Sequence, residues 1–399
     1  MARVASGLEV FLSGKHEAAR RFRGARAGLV TNPTGVDSRL RANIDLLASR
    51  ELVRLTALFG PEHGIRGAAQ DGVHIGNEID PRTGLPVYSL YGKTRRPTPE
   101  MVRDIDVFIF DIQDAGCRYY TYLYTLAYLL EAAADYNLPV VVLDRPNPIT
   151  GVVCEGNVLD MEFASFVGRQ PITIRTGMTI GELARFFNDR QARPADLTVV
   201  PLLGWRREMW YDDTGLPYVM PSPNLPTLEG LTLYPGTCLF EGTTFSEGRG
   251  TTRPFEIIGA PGIDPYKWAD ALNALELPGV IFRPLWFVPT FSKHQGQLCG
   301  GVQVHIVERT AVRAVAVGVH MLVCARRLFP QQFDWRRPHE PVTEVGDRSP
   351  RHLFIDLLAG GDELRRRIDA GDEAQAILAD WDEQARRFAA ETRKYHLYE

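Results

Sequence analysis

Short apolar runs alternate with amphipathic stretches through the first 150 residues, the pattern that βαβ units around a mainly parallel sheet leave in a sequence. The runs Ala27–Thr31, Arg54–Phe59, Val87–Leu90, Val107–Asp111 and Val140–Asp144 predict strands. Between them, the periodicity predicts helices over Leu40–Ser49, Pro99–Asp104 (with Thr98 as N-cap and proline following) and Tyr122–Tyr136. Val140, Val141, Val142 and Leu143 are apolar without a break, as a strand buried on both faces requires.

From about residue 152 the pattern is less regular. It predicts helices at Ile180–Asp189, Tyr266–Ala274 and Arg313–Phe329, and strands at Leu197–Pro201 and Val302–Val307. A Pro/Gly-rich stretch runs from Pro217 to Pro235, and the segment from Arg351 to about Lys394 is helical with breaks near Gly360-Gly361 and Gly371. The expected architecture is α/β: a Rossmann-like, mainly parallel sheet over residues 1–151, a second α/β domain over 152–399 closing on it, and a site in the cleft between them.

Four of the expected strands run into clusters of Gly, Pro and polar residues: Thr31-Asn32-Pro33, Gly60-Pro61-Glu62-His63-Gly64, Asp111-Ile112-Gln113-Asp114 and Asp144-Arg145-Pro146-Asn147-Pro148. Open α/β sheets bind ligands outside the carboxyl ends of their strands, so these clusters are expected to share one crevice. Asn-Pro and Gly-Pro are also ordinary turn signals. In FGPEHGIRG (Phe59–Gly67), a glycine-rich loop holds Glu62, His63 and Arg66 close to a strand end. A carboxyl fixed on such a loop can be desolvated towards neutrality for general-acid work, or it can cap the next turn. DIQDAGCRYYTY (Asp111–Tyr122) brings Asp111, Asp114 and Arg118 to a strand-to-helix turn, with Tyr119, Tyr120 and Tyr122 as rings for stacking on sugars. Tyr124 and Tyr128 further along fit the core face of the helix. LFEGTTFSEGRGTT (Leu239–Thr252) sets Glu241, Glu247 and Arg249 among glycines and hydroxyls.

Composition narrows the choice. The 399 residues carry a net charge of −4 with no long basic run, so nucleic acid and anionic membranes are not expected partners. The five cysteines are spread out without a CxxC pair, which points to reduced, buried thiols. The longest apolar segment, Ala314–Ala325, contains His320 and falls short of the roughly 20 residues that span a bilayer. With no signal-peptide pattern from Met1 to Phe11, a cytoplasmic protein is expected. The phosphate loop GxxxxGK[ST], the dinucleotide fingerprint GxGxxG and the serine elbow GxSxG are absent, so no cofactor is expected. His63, Asp111, Asp114 and Asp144 match no metal spacing such as HExxH, and no metal is expected either.

These segments, with GLVTNPTG (Gly28–Gly35), DRPNPITG (Asp144–Gly151), MPSPNLPT (Met220–Thr227), YPGTCLFEGT (Tyr234–Thr243), SEGRGTTRPFE (Ser246–Glu256) and FVPTFSKHQGQLCGGVQVH (Phe287–His305), run in order over nearly the whole chain. Together they resemble the exo-β-N-acetylmuramidases of the NamZ type, glycoside hydrolase family 171, formerly a domain of unknown function. The resemblance implies release of terminal N-acetylmuramic acid from peptidoglycan fragments such as MurNAc-GlcNAc. It places the family's FGPEHG glutamate on Glu62, here the expected general acid. At position 244, where relatives usually have Asn, this chain has Thr244. Glycoside hydrolysis takes two carboxyl groups; Asp114, Glu241 and Asp111 are the candidate partners. The lactyl carboxylate that sets muramic acid apart calls for a cation, with Arg118, Arg66 and Arg249 as candidates. His63, Asn147 and Asn224 are expected to orient hydroxyls and the acetamido group. Many relatives are secreted; without an export signal, recycling of imported muropeptide sugars is expected. A metal-dependent hydrolase and a non-catalytic muropeptide-binding protein are the alternatives.

Overall fold

A computed structural model describes residues 3–49, 51–61, 64–66, 78–91, 94–336 and 352–399. In chain order its strands are β1 (Arg26–Thr31), β2 (Arg54–Gly60), β3 (Glu78–Ile79), β4 (Pro86–Ser89), β5 (Val107–Asp111), β6 (Val140–Leu143), β7 (Glu155–Val158), β8 (Thr173–Arg175), β9 (Leu197–Val200), β10 (Ile257–Ala260), β11 (Val280–Phe287) and β12 (Cys299–Ile306). Seven of them form one sheet in the order β3-β4-β2-β1-β5-β6-β9. Every neighbouring pair is parallel except the two-residue edge β3 against β4.

The pleat sends alternate residues to opposite faces, and both faces are buried. Phe108, Phe110, Val140 and Val142 pack against the Tyr122–Tyr136 and Ile180–Asp189 helices. Val107, Ile109, Val141 and Leu143 pack on the other side with Leu8, Phe11, Ile44 and Leu47 from short helices. The Ile180–Asp189 helix starts where a capping box permits: Thr179 accepts from the Glu182 amide, and the Glu182 carboxylate accepts from the Thr179 amide. The helix expected from Leu40 begins only at Asn43, because Leu40 itself is left-handed (φ 60°).

β9 pairs parallel with β6, so the boundary expected at residue 151 cuts through the sheet; the first structural layer continues at least to Val200. The second layer is a three-stranded antiparallel sheet, β10-β12-β11, packed against the Leu228–Thr237, Pro265–Asn273 and Ala314–Leu328 helices. The Ala374–Thr392 helix covers the β7–β8 hairpin. Among the described residues no helix is long and apolar enough to cross a membrane.

Candidate active site

The order β2-β1-β5-β6 sets four carboxyl ends side by side, with the direction of winding reversing between β1 and β5. That switch point is where an open α/β sheet leaves its crevice. In the pair β1–β5, Thr31 lies opposite Asp111. Asp111 is fully buried and accepts from Arg145 Nε (2.7 Å), Arg145 Nη2 (2.9 Å) and Asn43 Nδ2 (2.8 Å). Asp111 therefore braces strand ends. Asp144, at the next strand end, accepts from Thr179 Oγ1 (2.8 Å), the Gly181 amide (2.7 Å) and Tyr398 Oη (2.5 Å).

Asp114 is also buried. Its Oδ2 accepts from the Gly116 amide at 2.6 Å, and its Oδ1 has no hydrogen-bond partner among the described residues. Burial pushes this carboxyl up to about 7, against the opposing pull of the Gly116 and Ala115 amides. Asn147 is likewise internal: Nδ2 donates to Met178 O (2.9 Å) and Oδ1 accepts from the Ile149 amide (3.1 Å), which fixes the loop after β6.

Arg118 departs furthest from expectation. Its guanidinium is fully buried and donates to Asn157 O (2.6 Å), Ile172 O (2.9 Å), Leu358 O (3.2 Å) and Ala359 O (2.7 Å), stitching β7 and the end of the Phe354–Ala359 helix to the turn that precedes the Tyr122–Tyr136 helix. That environment turns the Arg118 guanidinium inward, onto carbonyls of the protein itself. Arg66 pairs with Asp80 (2.7 Å) and, more loosely, with Asp45 (3.4 Å) beside the edge strand β3. Glu62 and His63 lie outside the described residues.

The remaining expected residues form one cluster drawn from both layers. Tyr120 and Tyr122 meet edge to face at 4.8 Å, Tyr120 meets Tyr234 at 6.0 Å, and Tyr234 meets Phe255 at 4.7 Å. The Arg249 guanidinium lies 5.4 Å from the Phe255 ring centre. From there Arg249 reaches Glu241 (Nη2–Oε1, 3.0 Å) and Glu247 (Nε–Oε1, 3.2 Å). Tyr122 Oη donates to Pro221 O at 2.8 Å and so joins the MPSPNLPT loop, in which Asn224 is buried, to this cluster. Burial opposes charge on Glu247, but Lys293 and Arg249 beside it outweigh that and hold its carboxyl below the ordinary range.

Two residues here were not singled out from the sequence. Lys293 Nζ lies 2.9 Å from Glu247 Oε2, and His294 Nε2 lies 2.7 Å from Thr244 O. The signal was present: one of only five lysines in the chain, set in the FSKH motif after an apolar strand. Thr244 uses its hydroxyl to donate to Gln332 O (2.7 Å) and to accept from the Asp334 amide (3.0 Å), so it holds the loop. Among the described residues no three His, Cys, Asp or Glu side chains come together as metal ligands.

The same arrangement of segments is found in known proteins. The family described as Exo-beta-N-acetylmuramidase NamZ, N-terminal, matches residues 27–229, and its C-terminal counterpart matches 232–398. The chain is 46% identical over 396 residues to the peptidoglycan beta-N-acetylmuramidase NamZ of Bacillus subtilis, covering 99% of this chain and 92% of that protein. Two DUF1343 family proteins from Bacteroides fragilis have similar crystal structures. One is 39% identical with a TM-score of 0.89 and full coverage of both chains; the other is 30% identical with a TM-score of 0.78, covering 100% of this chain and 99% of that one. With both family segments matched and their boundary just past the MPSPNLPT loop, the chain belongs to the NamZ exo-β-N-acetylmuramidase family.

Proposed function

We propose that this protein is an exo-acting β-N-acetylmuramidase that releases terminal N-acetylmuramic acid from peptidoglycan fragments such as MurNAc-GlcNAc. The observation that carries the reading is the likeness, over 99% of the chain, to a Bacillus subtilis protein named for that activity. Within the chain, the cluster of Glu241, Arg249 and edge-to-face tyrosines supports it, since carboxylates, a fork of N–H donors and aromatic rings are what saccharide chemistry uses. Glu62 is the general acid in this reading. Glu241 is its partner: it is half-buried beside Arg249, whereas Asp114 is buried and biased to its neutral form and Asp111 is locked to Arg145. Arg249 is the cation for the lactyl carboxylate. The five cysteines are all unpaired thiols, which supports work in a reducing compartment on imported wall fragments.

The test is hydrolysis of MurNAc-GlcNAc and of chromogenic β-MurNAc and β-GlcNAc, with and without chelator. The wild-type chain is expected to cleave the muramyl substrates, and Glu62→Gln to lose about 10² to 10⁴-fold in turnover while still binding the disaccharide. Near-native turnover by Glu62→Gln on the unactivated disaccharide removes Glu62 from that role. Chelator-sensitive activity restored by a divalent ion favours a metal-dependent hydrolase, and binding without turnover a muropeptide-binding protein.

A further inference from the structure

We propose that Lys293 is a positioning residue for the Glu241–Arg249 pair, setting the geometry in which both meet the saccharide; this rests on the reading of the site above. Its ammonium donates hydrogen bonds to Phe240 O at 2.8 Å and Phe245 O at 2.7 Å and forms an ion pair with Glu247 Oε2 at 2.9 Å. Each partner fixes a different part of the loop. Phe240 is in the 3-10 turn Cys238–Gly242 that carries Glu241, Phe245 begins the descent of the chain towards Ser246, and Glu247 in turn holds Arg249 Nε. One buried side chain thus determines where Glu241 and Arg249 stand relative to each other.

The segment that delivers Lys293 is built for the purpose. Ser292 and His294, on either side, are non-glycine residues with left-handed backbones (φ 67° and 58°). Such conformations are strained and persist where the surroundings over-determine them. Here they are fixed by His294 Nε2 at 2.7 Å from Thr244 O and by Thr290, whose amide and hydroxyl both donate to Gly250 O at 2.9 Å. Gly250, the residue after Arg249, has φ 80°, and a Cβ there would stand 2.6 Å from Phe291 O, so the two loops lie in direct backbone contact. Among the described residues, the charged groups facing Lys293 are Glu247 and Glu241, with Arg336 as the opposing cation; Arg249 is the second cation at Glu247.

The experiment compares Lys293→Met and Lys293→Arg with the wild-type chain on the muramyl disaccharide, recording kcat and KM from pH 4 to 9. Without the ammonium, Glu247 takes up a proton at higher pH and releases Arg249. For Lys293→Met the expected result is a kcat lowered at least tenfold, a KM raised as Arg249 loses its set position towards the lactyl carboxylate, and an acid limb of the pH profile displaced upwards. Lys293→Arg keeps the charge but not the three-oxygen fit, so the acid limb is expected back at its wild-type position with kcat still reduced. A purely structural lysine would lower the thermal midpoint and leave kcat and the acid limb of the folded fraction unchanged, and that result overturns the proposal. If Lys293→Met does not fold, Lys293→Arg decides: reduced kcat supports the proposal and wild-type kcat overturns it. An inactive wild-type chain sinks the muramidase reading itself, a failure distinct from either.

Discussion

Asp114 bears on stability in a way its motif does not announce. Its carboxyl is pushed from 3.8 up to about 7 by burial, so between those values the folded chain holds a proton that the unfolded chain has released. The sign follows: this contribution is fully present below about pH 4 and is lost as pH rises through about 7, a span of three units worth about 4 kcal/mol. Asp114→Asn keeps an acceptor for the Gly116 amide and no longer titrates. Its thermal midpoint is therefore expected to improve relative to wild type as pH goes from 5 to 8; a constant difference across that range contradicts the assignment. At this scale the sequence discloses which side chains carry chemistry but not which partners they take. Arg118 and the carbonyls it serves at Leu358 and Ala359 are 240 and 241 residues apart, and no local pattern encodes that meeting. Lys293 and Glu247 are closer along the chain, yet their contact too depends on two loops folding onto each other.

Among the elements, those with a clean period were legible: β5 and β6, with alternate residues in two cores, and the Ile180–Asp189 helix, whose observed bounds match the expected ones. The Leu228–Thr237 helix was not, because Pro235 and Gly236 read as turn residues. Tertiary packing overrides that signal: Tyr119 Oη donates to Pro235 O, and Gly236 crosses the Ala314–Leu328 helix at Gly318 with almost no clearance. A Cβ on Gly236 would lie 1.8 Å from Ala314 O, and one on Gly318 would lie 2.3 Å from Gly236 O. Gly236→Ala is accordingly expected to cost at least about 2 kcal/mol in a urea titration, as overpacked cores do; an unchanged midpoint would show that the crossing can open. β11 was missed for a related reason, since Pro284 interrupts its pattern, and its place at the edge of the β10-β12-β11 sheet is where proline is tolerated.

For the molecule as a whole, the alternating pattern was enough for the parallel sheet and the cluster of strand ends; the strand expected at Leu197–Pro201 lies beyond the expected boundary at 151, yet as β9 it joins β6 after a long excursion through the β7–β8 hairpin. Leu397 and Tyr398 are also tied to the parallel sheet and its Ile180–Asp189 helix. The Leu397 amide donates to Glu182 Oε1 (2.8 Å), Tyr398 Oη accepts from the Leu202 amide (2.9 Å), and the same hydroxyl donates to Asp144. Burial raises Asp144 to about 7, and the Tyr398 hydroxyl opposes that rise. Tyr398→Phe is expected to destabilise by about 1–3 kcal/mol. Because the folded carboxyl then rises further, the deficit is expected to be larger at pH 8 than at pH 5, read from urea midpoints. Asp144 and Tyr398 are 254 residues apart, so on a ribosome the first sheet has all its strands long before the hydroxyl that completes its buried carboxylate has been synthesised. Until then the early lobe carries an unfinished interior, and the packing around Asp144 is completed only after every strand of the sheet is present.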